Sequence, residues 1–189
     1  MADTPEAPKK KGSLLLKILG GLVVVVGIFL VVVSIQPAEL TVVRSTTIAA
    51  PASAVFPLVD DFHQWEKWSP WEKVDPAMKR TYEGPSSGVN ASYGWAGNND
   101  VGEGRMTITE SKPNERIRMS LEFFKPMAGK DEVVFAFKQD GAQTGVTWTM
   151  SGTKNFISKG ICMFMDMDKM VGGEFEKGLA AMKGIVEKK

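Results

Sequence analysis

The chain has 189 residues, 43% of them hydrophobic and 24% charged, with a formal net charge of +1. Those totals suit one folded domain with a short appendage and exclude the basic excess that nucleic-acid binding needs. The 23 basic and 22 acidic residues include four lysines and two acids before position 36, so the remainder carries about −1 and offers no net field to steer a charged substrate.

Residues 1–13 are polar, with Lys9, Lys10 and Lys11 in a row, and are expected to be disordered. Residues 14–35 read LLLKILGGLVVVVGIFLVVVSI and carry no charge over 18–35. About 20 residues at ~1.5 Å rise cross a ~30 Å hydrocarbon layer, so the run predicts a transmembrane helix. It is longer than the core of a secretory signal, and Ser34-Ile35-Gln36-Pro37-Ala38 makes a poor cleavage site, which favours an uncleaved single-pass anchor. The lysines on its N-terminal side place the N-terminus in the cytoplasm and the rest of the chain, residues 36–189, on the outer, periplasmic side.

Pro37 ends that helix, and residues 40–48 are rich in Thr and Val and predict a strand. Ala50-Pro51 breaks it. Ser53 is the expected N-cap of a short helix through Val55, Phe56, Leu58 and Val59. A second helical turn puts Trp65 and Trp68 on one face, and with Trp71 three tryptophans fall within seven residues. Such a cluster requires a partner surface or a cavity to line. His63, the sole histidine, sits beside Asp60 and Asp61 and reads as a loop residue, and no nucleophile motif accompanies it.

From Lys79 onward the apolar period is two. Ala91, Tyr93 and Trp95 form one apolar series; Met106 and Ile108, then Ile117, Met119, Leu121 and Phe123, follow. Val133, Phe135 and Phe137, then Val146, Trp148 and Met150, continue the pattern, with turn signals such as Lys112-Pro113-Asn114 and Asp140-Gly141 between the runs. Alternation of this kind predicts an antiparallel meander with one buried face. Arg116 and Arg118 fall on its outer face.

Cys162 is the only cysteine, which excludes an intrachain disulfide and a cysteine-based zinc site. Between Ile161 and Met163 it reads as a buried, inert thiol. Met163, Phe164, Met165, Met167 and Met170 form a Met/Phe patch that suits core filling or a cavity wall. Residues 169–188 then predict a helix with Val171, Phe175, Leu179, Met182 and Val186 on one stripe. Gly172, Gly173, Gly178 and Gly184 disfavour that helix by about 1 kcal/mol each, so close approach to the sheet, or space over a pocket, is expected at them.

The order of strand, two short helices, six antiparallel strands and a long C-terminal helix carries specific residues. Ile48-Ala49-Ala50-Pro51 leads into Ala54-Val55-Phe56, then Trp65, Trp68-Ser69-Pro70-Trp71 and Asp75-Pro76. Over 41–187 this resembles the SRPBCC superfamily, the START-like helix-grip group with polyketide cyclase/dehydrase and lipid-transfer members. Trp-Ser-Pro-Trp followed by Asp75-Pro76 and Tyr82-Glu83-Gly84-Pro85 resembles a membrane-anchored bacterial subgroup. The resemblance implies an α+β helix-grip fold: a curved antiparallel sheet of about seven strands wrapped on the C-terminal helix, with a cavity between them for an apolar or amphipathic ligand.

The cavity liners expected are Trp65, Trp68, Tyr93, Trp95, Met119, Phe135, Trp148, Met163, Met167 and Phe175. Their polar groups are the Tyr93 hydroxyl and the indole N–H groups. No paired carboxylates are expected on the inward face, which argues against general acid/base chemistry. The reading is therefore a tethered domain that binds a hydrophobic small molecule or lipid without transforming it, with no metal or cofactor. Its rivals are a cyclase-like or hydrolytic enzyme using Tyr93 and His63, and an interaction module with a solid interior.

Overall fold

The computed structural model describes residues 11–188. Most of the segment expected to be disordered, residues 1–10, lies outside the described residues. The first helix, α1 (Lys11–Ile35), includes a 21-residue stretch, Leu15–Ile35, long and apolar enough to cross a membrane. At ~1.5 Å per residue that stretch covers about 31 Å. Its side chains point outward along nearly its whole length; only its last turns touch the rest of the chain.

Seven strands follow: β1 (Glu39–Ile48), β2 (Lys79–Glu83), β3 (Ser92–Ala96), β4 (Glu103–Lys112), β5 (Arg116–Lys125), β6 (Gly129–Asp140) and β7 (Gln143–Thr153). They form one antiparallel sheet in the order β1-β7-β6-β5-β4-β3-β2. Every connection from β2 to β7 is a hairpin, and β1 closes on β7. Register shifts between β4 and β5, with Phe124 extra on β5 and Thr109 extra on β4, bend the sheet, because an extra residue on one strand increases local twist. The alternation holds throughout: Ile117, Met119 and Leu121 of β5 and Val133, Phe135 and Phe137 of β6 are all buried. On the opposite face Arg118 reaches Glu110 and Glu132, so the outer arginines are ion-paired as well as solvated.

Between β1 and β2 the chain forms α2 (Ala52–Val55), α3 (Pro57–Asp60) and two 3₁₀ turns, Phe62–Lys67 and Pro70–Lys73. Ser53 does not cap α2; it lies inside the helix, and Pro51 occupies the cap position. The orphan N–H of Ala52 donates instead to Gln139 Oε1 of β6 at 2.6 Å, so a tertiary contact replaces the local cap. The tryptophan turn is 3₁₀ rather than α, and it still brings Trp65 and Trp68 together, with ring centroids 4.7 Å apart.

After β7 come α4 (Phe156–Cys162) and α5 (Met167–Glu187). The last helix begins two residues before the expected start because Asp166 Oδ1 accepts from the Lys169 N–H at 3.0 Å, a side-chain cap. Phe175, Leu179 and Met182 of α5 are buried on the sheet. The glycines divide. A Cβ at Gly178 would lie 2.9 Å from the Trp148 ring, and one at Gly172 would overlap the Arg44 guanidinium. Gly173 and Gly184 face open space, so the expectation of close approach fails there.

Candidate functional site

Aromatic side chains fill the central part of the space between sheet and helix. Trp148 of β7 stacks on Phe175 of α5 with centroids 4.0 Å apart and planes 6° from parallel. Trp68 meets Trp148 edge-on at 5.5 Å, and Phe135 lies 4.7 Å from Trp148. Trp65 and Trp68 are tied down, their indole N–H groups donating to Val59 O at 3.1 Å and Leu58 O at 2.7 Å. Farther along, Phe56 and Phe137 close the end of the sheet near Ile48.

At the other end the packing opens into a cavity of about 270 Å³. The strand register explains its wall. Leu40 pairs with Gly152, Gly152 with Asp131, Asp131 with Leu121, Leu121 with Met106, and Met106 with Tyr93. That row crosses six strands at the end of the sheet where the chain arrives from α1. All of its side chains line the cavity, with Met167, Val171 and Phe175 of α5 as the roof. Gly152 makes room: a Cβ there would collide with the Asp131 carboxyl.

Of the expected liners, Trp65, Tyr93, Trp95, Trp148, Met167 and Phe175 do border this cavity. Trp68, Met119 and Phe135 face the same side of the sheet but are sealed within the packed part of the core. Met163 lies elsewhere, in an outer groove beside Cys162 and Phe164. The Met/Phe patch is not core: Phe164 is 79% exposed and Met170 is 51% exposed. Cys162 is half-buried on that same outer side rather than enclosed.

The polar lining departs from expectation. Three acidic residues border the cavity, Glu72, Asp131 and the exposed Asp100. Glu72 was hidden in the Pro70–Lys73 turn; it is buried, accepts from Tyr93 Oη at 2.6 Å, and pairs with Arg80 at 2.7 Å. Burial first, and the Glu72 contact second, push the Tyr93 hydroxyl far above its ordinary range, so it remains a donor committed to Glu72. Glu72→Gln keeps the acceptor for Tyr93 but removes the counter-charge of Arg80. It is expected to destabilise by about 1–2 kcal/mol in chemical denaturation, a modest figure because Arg80 is partly solvated and also has Glu66 at 3.7 Å.

Asp131 differs, since burial alone acts on its carboxyl, with no bond to it among the described residues, and raises its pKa. A raised folded value means that the penalty of charging is absent below the ordinary aspartate range and appears as pH climbs through the raised value. Asp131→Asn is therefore expected to be more stable than the native chain at neutral pH and indistinguishable from it in acid. Denaturant midpoints at the two pH values check this. Of the four indoles expected to face inward, Trp148 alone has its N–H buried without a partner, whereas Trp95 donates to Val101 O at 3.0 Å; Trp71, a fifth, also lines the cavity.

His63 does not reach the cavity. Its ring is half-exposed, stacks on Tyr82 at 4.2 Å, and holds Asp61 Oδ1 at 2.8 Å through Nδ1. Tyr93 and His63, the acid/base pair of the enzymatic reading, thus share no substrate-sized space. No cluster of three His, Cys, Asp or Glu side chains suited to a metal occurs among the described residues.

The family described as polyketide cyclase/dehydrase and lipid transport matches residues 39–187, from the first strand to the end of α5. A crystallised protein of Chromobacterium violaceum superposes with a TM-score of 0.58 at 14% identity, over 79% of this chain and 98% of that one. The Aha1 dimer of Colwellia psychrerythraea gives 0.57 at 16%, over 79% and 97%. A solution structure from Thermobifida fusca gives 0.57 at 22%, over 78% and 95%. These likenesses extend to the fold. No curated protein matches the chain.

Proposed function

Because the chain belongs to the polyketide cyclase/dehydrase and lipid transport family, we propose that its domain binds a compact hydrophobic or amphipathic molecule in the cavity under α5 while α1 tethers it to a membrane. The open cavity carries this reading. Core voids disfavour folding by roughly 24 cal/mol per Å³, so about 270 Å³ left unfilled forgoes up to roughly 6 kcal/mol, less where water enters the mouth. A chain that packs five aromatic rings against one another beside this space has the means to fill it and does not.

The chemistry of the wall supports an amphipathic occupant. Most liners are apolar, and the Asp131 carboxyl, which has no hydrogen-bond partner among the described residues, faces the open space. A ligand with a hydroxyl or comparable donor would satisfy it, as ligand pockets do with a few placed polar atoms. The volume, near the lower limit of ~300 Å³ for such pockets, fits a single chain or small ring system better than a whole two-chain lipid. In this reading Trp65, Tyr93, Trp95, Trp148, Met167 and Phe175 contact the ligand, while Trp68, Met119 and Phe135 brace the wall. The N-terminal lysines put the N-terminus in the cytoplasm and the domain on the outer face.

Native mass spectrometry of the full chain, released from detergent after purification from cells, tests this. The expected result is a near-stoichiometric adduct of one small amphipathic molecule. A bare chain, together with no uptake of fatty acids or sterols added at micromolar levels, overturns it.

A further inference from the structure

We propose that the exposed face of α4 and of the loop to α5 is a second bilayer contact, seated in the interfacial layer of the leaflet where α1 emerges. The proposal rests on the reading of α1 as a membrane span, and it concerns a surface separate from the ligand cavity. Scattered exposed apolar residues are ordinary, but here Ile157, at 64%, and Phe164, at 79%, are joined by Phe156, Met165 and Met170 over 15 residues of chain.

What covers this patch follows from its continuity with α1. Val33 of α1 is 1% exposed; Gly160 of α4 packs on it, with the Val33 γ-carbons 3.8–3.9 Å from where a Cβ would stand. Lys159 Nζ donates to Ser34 O at 3.3 Å. The Phe29 and Phe164 rings lie 6.4 Å apart. Phe29 is six residues before the end of α1, so Phe164 reaches a depth of about 9 Å below that end. Amphipathic segments lie about 5–10 Å deep at the headgroup boundary. Lys159 meets the last carbonyls of α1, at the level where lysine stems carry their ammonium groups to the headgroups. Of the acids on this face, Asp168 is paired with Arg44 at 3.0 Å, while Asp166, which has no ion pair among the described residues, accepts from the Lys169 N–H at the start of α5.

The contact also aims the cavity. Leu40 and Met167 border both the ligand cavity and the outer groove beside Met163 and Phe164, and so form the partition between them. A ligand leaving the leaflet would cross this partition.

The test uses the full chain with Cys162→Ser and single cysteines at Ile157, Phe164, Val26 and Ala142, each labelled with an environment-sensitive nitrobenzoxadiazole. Ala142 is exposed in the β6–β7 turn, at the other end of the sheet. The proteins are reconstituted into phosphatidylethanolamine/phosphatidylglycerol vesicles carrying lipids spin-labelled on the acyl chain. Probes at 157 and 164 are expected to be quenched by shallow spin labels at least about threefold more than the probe at 142, and the probe at 26 by deep ones. Quenching at 26 with none at 157 and 164 overturns the interfacial contact and leaves the span intact. No quenching at 26 overturns both. Shielding of the 164 probe that depends on protein density rather than on spin label identifies a second copy as the occupant and also overturns the proposal.

Discussion

Trp68→Ala is expected to destabilise the folded domain by about 3–5 kcal/mol, the range for truncating a buried tryptophan. The side chain is fully buried, meets Trp65, Phe135 and Trp148, and donates to Leu58 O at 2.7 Å. Its removal leaves a void in the packed half of the core and an unpaired backbone carbonyl in the α3 segment. Collapse cannot repair the loss, because the neighbouring rings are held by their own bonds and stacks. For a domain of this size each kcal/mol shifts Tm by about 2–4 °C, so thermal unfolding in detergent is expected to move down by roughly 6–20 °C. A shift under about 3 °C would mean that this wall is not the rigid support described.

Leu121→Trp is expected to do the opposite to the empty half. Leu121 stands in the middle of the register row that lines the cavity. Adding bulk to a filled core destabilises by about 1–3 kcal/mol, whereas filling a void returns part of the free energy the void forgoes. The expected outcome is an unchanged or raised Tm together with at least about tenfold weaker ligand retention by native mass spectrometry, equivalent to about 1.4 kcal/mol. Val171→Phe fills the same space from α5 and should give the same pairing of results. Ligand retained at the native level in both variants, with Tm maintained, would remove the cavity as the binding site.

Particular residues explain which features were legible. Ile117, Met119, Leu121 and Val133, Phe135, Phe137 announce their face because a strand's period of two is a property of the backbone alone. Phe175, Leu179 and Met182 announce theirs through the helical repeat. Trp68, Met119 and Phe135 were placed on the right face and the wrong side of the boundary between packed core and open cavity. That boundary depends on how Trp148 and Phe175 stack, which no local pattern encodes. Asp131 continues the inward series from Val133 by one step, and the alternation could have found it. Glu72 gave no such signal, since a 3₁₀ turn of four residues has too few positions to show a face. Met163 and Phe164 were read as interior because their composition suits a core and a bilayer equally.

The amino-acid sequence alone determined the order of the elements, the buried face of each strand, the stripe of the last helix, the apolar N-terminal run and the family resemblance. The resemblance rests on the motif residues between Ile48 and Pro85 and on the element order; the others rest on periodicity and composition over short stretches. Tertiary structure alone decided where the interior stays open, that Glu72 is bound to Arg80 and Tyr93 while Asp131 is left without a partner, that His63 lies outside, and that α4 sits against the end of α1. Each of these joins residues far apart in the chain, and the stacking and exclusion that bring them together exist only once the sheet has curved around its helix.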